Sequence, residues 1–320
     1  MSKASIAVFG SINIDMTNRV NALPQAGETI HAQSFAMGLG GKGANQAVAA
    51  SRITQDSGIE VRLAGWIGDD ALGNYARAHL EATSLNLAGL NVHPTEITGI
   101  ASININENGE NTIVVAGGSN MVLGINDVDR IKPVIENAKV LMMQLEVPMD
   151  TVLKAAQIVK NAGGIIIMDP APAPQSLPDE LYQLAHVMTP NETETEKLTG
   201  IRPHDRASAQ EAADVFLSRG LDIAIIKLGS EGVCYFTKQE RGFLPPFKVT
   251  AIDSVAAGDS FNAGLATGLA NGLAIDEAIR IAGAAGALAT TKKGASEAAP
   301  TWHEITQLLE SQTDIKCEKF

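Results

Sequence analysis

The chain exchanges short apolar runs for longer segments of helical period, and this rhythm limits its architecture most. SIAVFG, VRLAGWIG, KVLMMQLE, GGIIIMDP, HVMTPNE and DIAIIKLG are compact and largely apolar, the pattern of strands buried on both faces. GANQAVAASRI, ALGNYARAHLEA, DTVLKAAQIVKNAG, AQEAADVFLSRG, FNAGLATGLANGL and IDEAIRIAGAAGALATT carry helical patterns. Strand–helix alternation predicts an α/β fold, a mostly parallel central sheet flanked by helices.

Two segments break the rhythm. Residues 11–39 contain strand-like pieces, including ETIHAQSFAM, where a helix is expected. Within 98–118, ININ alternates, NENGEN supplies a turn and TIVVA follows, which reads as a hairpin. Together they predict a small second sheet, a lid or an oligomer contact. Residues 1–10, 40–97 and 119–320 remain as the α/β core.

The bulk properties narrow the functions. A chain of 320 residues can hold one large domain with an appendage. Its net charge of −12, without a Lys/Arg-rich run, argues against nucleic acid as a partner. Two cysteines, Cys234 and Cys317, make no disulfide framework, and Cys234 in GVCYF reads as a buried strand residue. The apolar run in MSKASIAVFG is too short for a signal peptide and no stretch is long enough to cross a membrane, so a cytoplasmic protein is expected.

In DSVAAGDSF, Asp253 and Asp259 bracket small residues at the mouth of a helix. A helix start exposes unpaired N–H groups and a partial positive charge. Asp259 either stabilises that start or stands beside an anion site that small residues open to a ligand. In MGLGGKGANQA, Gly38, Gly40 and Gly43 formally fit G-x-G-x-x-G. A dinucleotide fold needs that motif directly after the first strand, which here ends at Gly10 and runs into SINID. A Walker A motif needs Ser or Thr after Gly-Lys, and Lys42 is followed by Gly43. What remains is a glycine-rich helix entry whose Lys42 and Asn45 suit the hydroxyls of a polyol. Asn13 and Asp15, two apart at the end of the first strand, face one way or form an Asx turn. Glu146 after LMMQL either caps the next helix or enters the cleft. Asn191 and Glu194 share the first turn of a helix that is otherwise simply rich in acids.

SINID, GGKGANQA, LMMQLE, TPNETE, KLGSEG and DSVAAGDSF, in that order, resemble the motifs of the ribokinase family of PfkB-type carbohydrate kinases over nearly the whole chain. GGKGANQA points, within that family, to the ribose branch rather than to adenosine, fructose or ketodeoxygluconate kinases. The resemblance implies ATP-dependent phosphorylation of D-ribose at O5, with Asp259 as base and the N–H groups of Ala256, Ala257 and Gly258 as anion hole. It implies sugar contacts from Asn13, Ile14, Asp15, Gly41, Lys42, Gly43, Ala44, Asn45, Glu146 and Asp259. For the nucleotide it implies Asn191, the run Lys227, Leu228, Gly229, Ser230, Glu231 and Gly232, and Gly258 with Asp259. Asn191 and Glu194 would organise Mg²⁺ through waters. Asp253 with the carbonyls of Val255, Ala289, Lys292 and Gly294 would hold K⁺ or another monovalent cation. A homodimer through the β lid is expected.

Three positions depart from the pattern. Lys227 stands where the family often has Thr, Gly283 where many relatives place Asn or His beside adenine, and Ala298 where a serine often joins the cation site. A kinase for 2-deoxyribose or for another sugar or nucleoside is the nearest alternative, with the Asn13 amide as discriminator. A sugar-binding regulator without chemistry is the alternative of another class, and the presence of Asp259, Asn191 and Glu194 argues against it.

Overall fold

The computed structural model describes residues 5–320. In chain order the elements are β1 (Ser5–Phe9), β2 (Asn13–Arg19), β3 (Ser34–Gly40), α1 (Lys42–Thr54), β4 (Glu60–Gly68), α2 (Ala71–Glu81), β5 (Asn86–His93), β6 (Gly99–Ile105) and β7 (Asn111–Ala116). Next come α3 (Ile125–Ile135), β8 (Val140–Met143), α4 (Met149–Asn161), β9 (Ile165–Met168), α5 (Asp179–Leu184), β10 (Val187–Met188), α6 (Glu192–Thr199), α7 (Arg206–Ser218) and β11 (Ile223–Lys227). The chain closes with β12 (Val233–Thr237), β13 (Arg241–Leu244), α8 (Ala257–Ala270), α9 (Ile275–Ala289), α10 (Trp302–Ser311) and β14 (Glu318–Lys319).

The main sheet has the order β14-β13-β12-β11-β10-β9-β8-β1-β4-β5. From β5 to β11 every pairing is parallel, and β11 to β14 finish the edge antiparallel. All five residues of β1 are buried. Strand alternation sends Ile6 and Val8 into the core beneath α1, α8 and α9, and Ala7 and Phe9 into the core beneath α3, α4 and α7. A continuous apolar run is therefore what this position demands, and helices must cover both faces.

The second sheet has the order β3-β2-β6-β7. The chain enters it directly: β1 ends at Phe9 and β2 begins at Asn13. The junction thus lies at the C-terminal end of the parallel sheet, where such folds bind ligands. The strand expected across ETIHAQSFAM begins only at Ser34. The exposed residues before it are held by turn bonds, Glu28 N–H to the Gln25 carbonyl at 2.9 Å and Gln33 N–H to the Arg19 carbonyl at 2.7 Å. The hairpin forms as expected, with the Asn106 side chain accepting the N–H groups of Asn108 and Glu110 at 3.0 and 2.9 Å across the turn.

Candidate active site

The cleft is built by strand ends and two helix starts. α1 begins at Lys42 behind Gly41, whose φ of 87° is open to glycine. A Cβ on Gly43 would lie 2.5 Å from the Gly10 carbonyl carbon, so only glycine lets α1 press onto the β1–β2 junction. α8 begins behind Ala256, the one non-glycine among the described residues with positive φ, at 56°. Asp259 in the first turn of α8 is 6% exposed. Asn45 Nδ2 donates to its Oδ2 at 3.3 Å and Gln46 Nε2 to its Oδ1 at 3.1 Å. Gln46 Nε2 also donates to Asp169 Oδ2 at 3.1 Å, and Gln144 Nε2 fixes Gln46 by donating to its Oε1 at 2.6 Å. Burial pushes the Asp259 pKa up, the Lys42 charge pulls it back, and Asp169 raises it further.

Glu146 does not cap α4 but reaches across to the β1–β2 junction and the start of α1. Its Oε2 accepts the Ser11 hydroxyl and, at 3.0 Å, the Lys42 N–H. Burial first, then the charges of Glu146, Glu297 and Asp259, push Asp15 up to about 6. Burial works against the Lys42 charge, yet Asp259, Asp169, Glu146 and Glu194 together hold its pKa above the usual lysine value. Asn13 is buried, and Asn120 Nδ2 donates to its Oδ1 at 2.8 Å, which leaves Asn13 Nδ2 as the group on offer. Asn45 Oδ1 is buried without a donor. An unmet acceptor beside a carboxylate pair is where a ligand hydroxyl recovers a lost hydrogen bond.

Not every expected sugar residue reaches this point with its side chain. Ile14 and Ala44 are wholly buried in the apolar core, and the Ala44 N–H is taken by the Ser11 carbonyl at 2.9 Å.

Asn191 and Glu194 form a reciprocal cap on α6: Glu194 N–H to Asn191 Oδ1 at 2.9 Å and Asn191 N–H to Glu194 Oε2 at 2.8 Å. Burial and Asp169 raise the Glu194 pKa, while Lys227 lowers it. Among the described residues no three His, Cys, Asp or Glu side chains converge to hold a metal ion. With the one Asn191 oxygen and one of the two Glu194 oxygens engaged in the cap, the pair fits an ion that keeps its own waters, as Mg²⁺ does. Lys227 ends β11, and the turn Gly229–Glu231 follows against the start of α6, where a Cβ on Gly229 would lie 3.2 Å from Glu192 Oε1. Gly283 is packed under Leu244, whose Cδ2 would lie 2.5 Å from an added Cβ, so a larger side chain there would displace Leu244.

Asp253 links two of the segments expected to hold the cation. Asp253 Oδ1 accepts the Val255 N–H at 3.0 Å and Oδ2 the Gly294 N–H at 3.3 Å, which ties the two segments to each other. The Ala289 carbonyl accepts the Lys292 N–H at 3.3 Å. The Asp253 oxygens and the Ala289 carbonyl each keep a further lone pair, and oxygen donors of this kind suit a hard monovalent cation. Of the anion-hole amides, that of Ala257 turns back to the Ser254 carbonyl at 3.3 Å.

Sequence reasoning missed Ser11, Gln46, Asn120, Gln144 and Asp169. Three of them, Ser11, Gln144 and Asp169, lie just past the buried strands β1, β8 and β9, and that position was their only signal. A surface cavity of about 440 Å³ beside Gln210, Arg241 and Phe320 contains none of the residues above.

The pattern of the pfkB family carbohydrate kinases is matched over residues 3–302. A ribokinase of Haemophilus influenzae is 40% identical over 308 residues, 96% of this chain and 99% of that protein. A deoxyribokinase of Salmonella typhi is 31% identical over 304 residues, 95% of this chain and 98% of that protein. The structure of Arabidopsis thaliana ribokinase complexed with ribose and ATP superposes with a TM-score of 0.88 at 29% identity, covering 97% of this chain and 99% of that one.

Proposed function

The chain belongs to the pfkB family of carbohydrate kinases, and from that premise we propose that it transfers the γ-phosphoryl group of ATP to O5 of D-ribose. The observation that carries the reading is the buried Asp259 carboxylate, pinned by Asn45 and Gln46 in the first turn of α8. Asp259 accepts the proton of the sugar 5-hydroxyl. As O5 bonds to the γ-phosphorus, the bond from phosphorus to the β–γ bridging oxygen breaks, and ADP and ribose 5-phosphate leave. A base is most useful when its pKa approaches the working pH, and burial moves Asp259 in that direction. The positive end of α8, with the Gly258 amide beside Asp259, would stabilise the charge that moves, while the Ala257 amide would first have to leave the Ser254 carbonyl. Phosphoryl transfer is chiefly positioning and charge stabilisation, which this cleft can supply.

Asn13 Nδ2, Asp15, Glu146 and the Asn45 carbonyl oxygen hold the sugar hydroxyls. The loop from Lys227 to Gly232, with Asn191 and Gly258, holds the nucleotide. Glu194 and Asn191 would hold the waters of Mg²⁺, which would supply positive charge to the phosphates. Asp253 and its neighbouring carbonyls would hold K⁺ and supply an all-oxygen site next to the α8 entry, to which Ala298 adds no hydroxyl. The small sheet acts as a lid over the sugar, and its exposed edge pairs with a second copy of the chain. Two free cysteines and the need for ATP fit a cytoplasmic setting.

2-Deoxyribose is the second substrate to weigh, given the deoxyribokinase relative. Asn120 leaves Asn13 as a donor toward a sugar, and a donor built for a 2-hydroxyl loses its partner in the deoxy sugar. The test is product formation from ATP with ribose, 2-deoxyribose, other pentoses and nucleosides. Ribose is expected to exceed 2-deoxyribose by roughly 5- to 150-fold in kcat/KM. Equal use of both would remove the ribose assignment and leave the kinase.

A further inference from the structure

Lys227 is not explained by holding a loop. Its ammonium lies 3.6 Å from Asp169 Oδ1, beyond hydrogen-bond range, and Asp169 Oδ1 has no hydrogen-bond donor at all. A Cβ added to Gly258 would lie 3.4 Å from the same Nζ, so the lysine reaches from the end of β11 over the start of α8. The pair is enclosed, with side-chain exposures of 15% for Lys227 and 3% for Asp169.

An ammonium above a helix N-terminus meets the positive end of the dipole and gains nothing from it. It gains a good deal when an anion arrives, because the anion then receives the ammonium and the helix amides together. The long contact to Asp169 is a resting partner the lysine can leave cheaply. Asp169 does not become an isolated charge, since Gln46 Nε2 still donates to its other oxygen and the Lys42 charge acts on it.

We propose that Lys227 is a phosphoryl-contacting catalytic residue, poised by Asp169 and exchanged from it to the γ-phosphoryl when ATP binds. This deepens the kinase reading above and rests on it. The lysine carries positive charge to the group in transfer. It neither gives up a proton nor forms a bond, so the balance of the reaction is unchanged. It also explains why a lysine can stand at the end of β11 without clashing with the anion site: its charge belongs to that site.

The test is the affinity of AMP-PNP, a non-hydrolysable ATP analogue, against that of ADP, each with Mg²⁺, by calorimetry on the full chain. Lys227→Thr is expected to weaken AMP-PNP by about tenfold to a hundredfold and to change ADP by less than about threefold. Lys227→Arg should keep most of the AMP-PNP affinity. Asp169→Asn, by freeing the lysine, should tighten AMP-PNP severalfold relative to ADP. If Lys227 were only a partner for Asp169, both substitutions would lower the melting temperature and leave the AMP-PNP to ADP ratio as it is, and that result overturns the proposal. Ribose 5-phosphate formation by the unaltered chain is scored in parallel. Its absence would remove the ribose reading, while the nucleotide ratio still decides the role of Lys227.

Discussion

Replacing Asp15 with Asn should make the protein more stable and less able to bind its sugar. Burial and the charges of Glu146, Glu297 and Asp259 raise Asp15 from 3.8 to about 6. Between those pH values the folded chain keeps a proton that the unfolded chain has released. Stability therefore falls as pH rises through that window and is flat above it. The gap between 3.8 and about 6 corresponds to about 3 kcal/mol of strain at neutral pH, reduced to about 1–3 kcal/mol by residual solvation. Asparagine has the same shape, carries no charge and can donate to the neighbouring carboxylates. Urea denaturation at pH 7.5 should show Asp15→Asn more stable by about 1–3 kcal/mol, with the gain shrinking below pH 6 and gone near pH 4. Calorimetry should show ribose affinity reduced at least tenfold, because an acceptor has been lost. A mutant less stable than the parent at pH 7.5, or a gain that persists at pH 4, would mean that the Asp15 carboxylate is not destabilised by its burial and its neighbours.

Other sites give independent checks. Ala256→Gly removes a left-handed alanine at the α8 entry and adds unfolded-chain freedom, so stability should change by less than about 1 kcal/mol. Turnover should nonetheless fall, because the anion-hole amides lose their fixed direction. Asp253→Ala should abolish activation by K⁺ relative to a bulky organic cation; an unaltered parent with no K⁺ response would show that the loop holds no working cation. Val114, 70% exposed on the edge strand β7 beside exposed Ile113 and Val115, should lie at the contact between two copies. Val114→Asp should shift sedimentation from dimer to monomer, and a parent that is already monomeric at micromolar concentration would contradict the contact.

The buried skeleton was legible because burial on both faces forces continuous apolar runs, as in β1, β4 and β9. β5 was not, since Asn86, Gly89 and Asn91 interrupt its pattern and its register shifts between Arg62 and Ala64 of β4. α3 carries Pro133 inside it, which by local rules ends a helix. In the site, Asp259 and Glu146 stood out because an acid among small or apolar residues needs a reason. Gln46, Gln144 and Asp169 did not. Their meaning comes from meeting one another across the fold, Gln46 with Asp169 over 123 residues of chain, and no local pattern records that meeting. The approach of Lys227 to Asp169 has the same origin.

Whether Asp259 is the base of an ATP-dependent transfer to ribose is decided by one comparison. Ribose 5-phosphate formation from ATP is measured for the parent and for Asp259→Asn, with ribose binding followed by calorimetry on both. The parent should form product, turnover of the mutant should fall by about 10²–10⁴-fold, and ribose binding should remain measurable. Turnover near the parent's in Asp259→Asn would contradict that role.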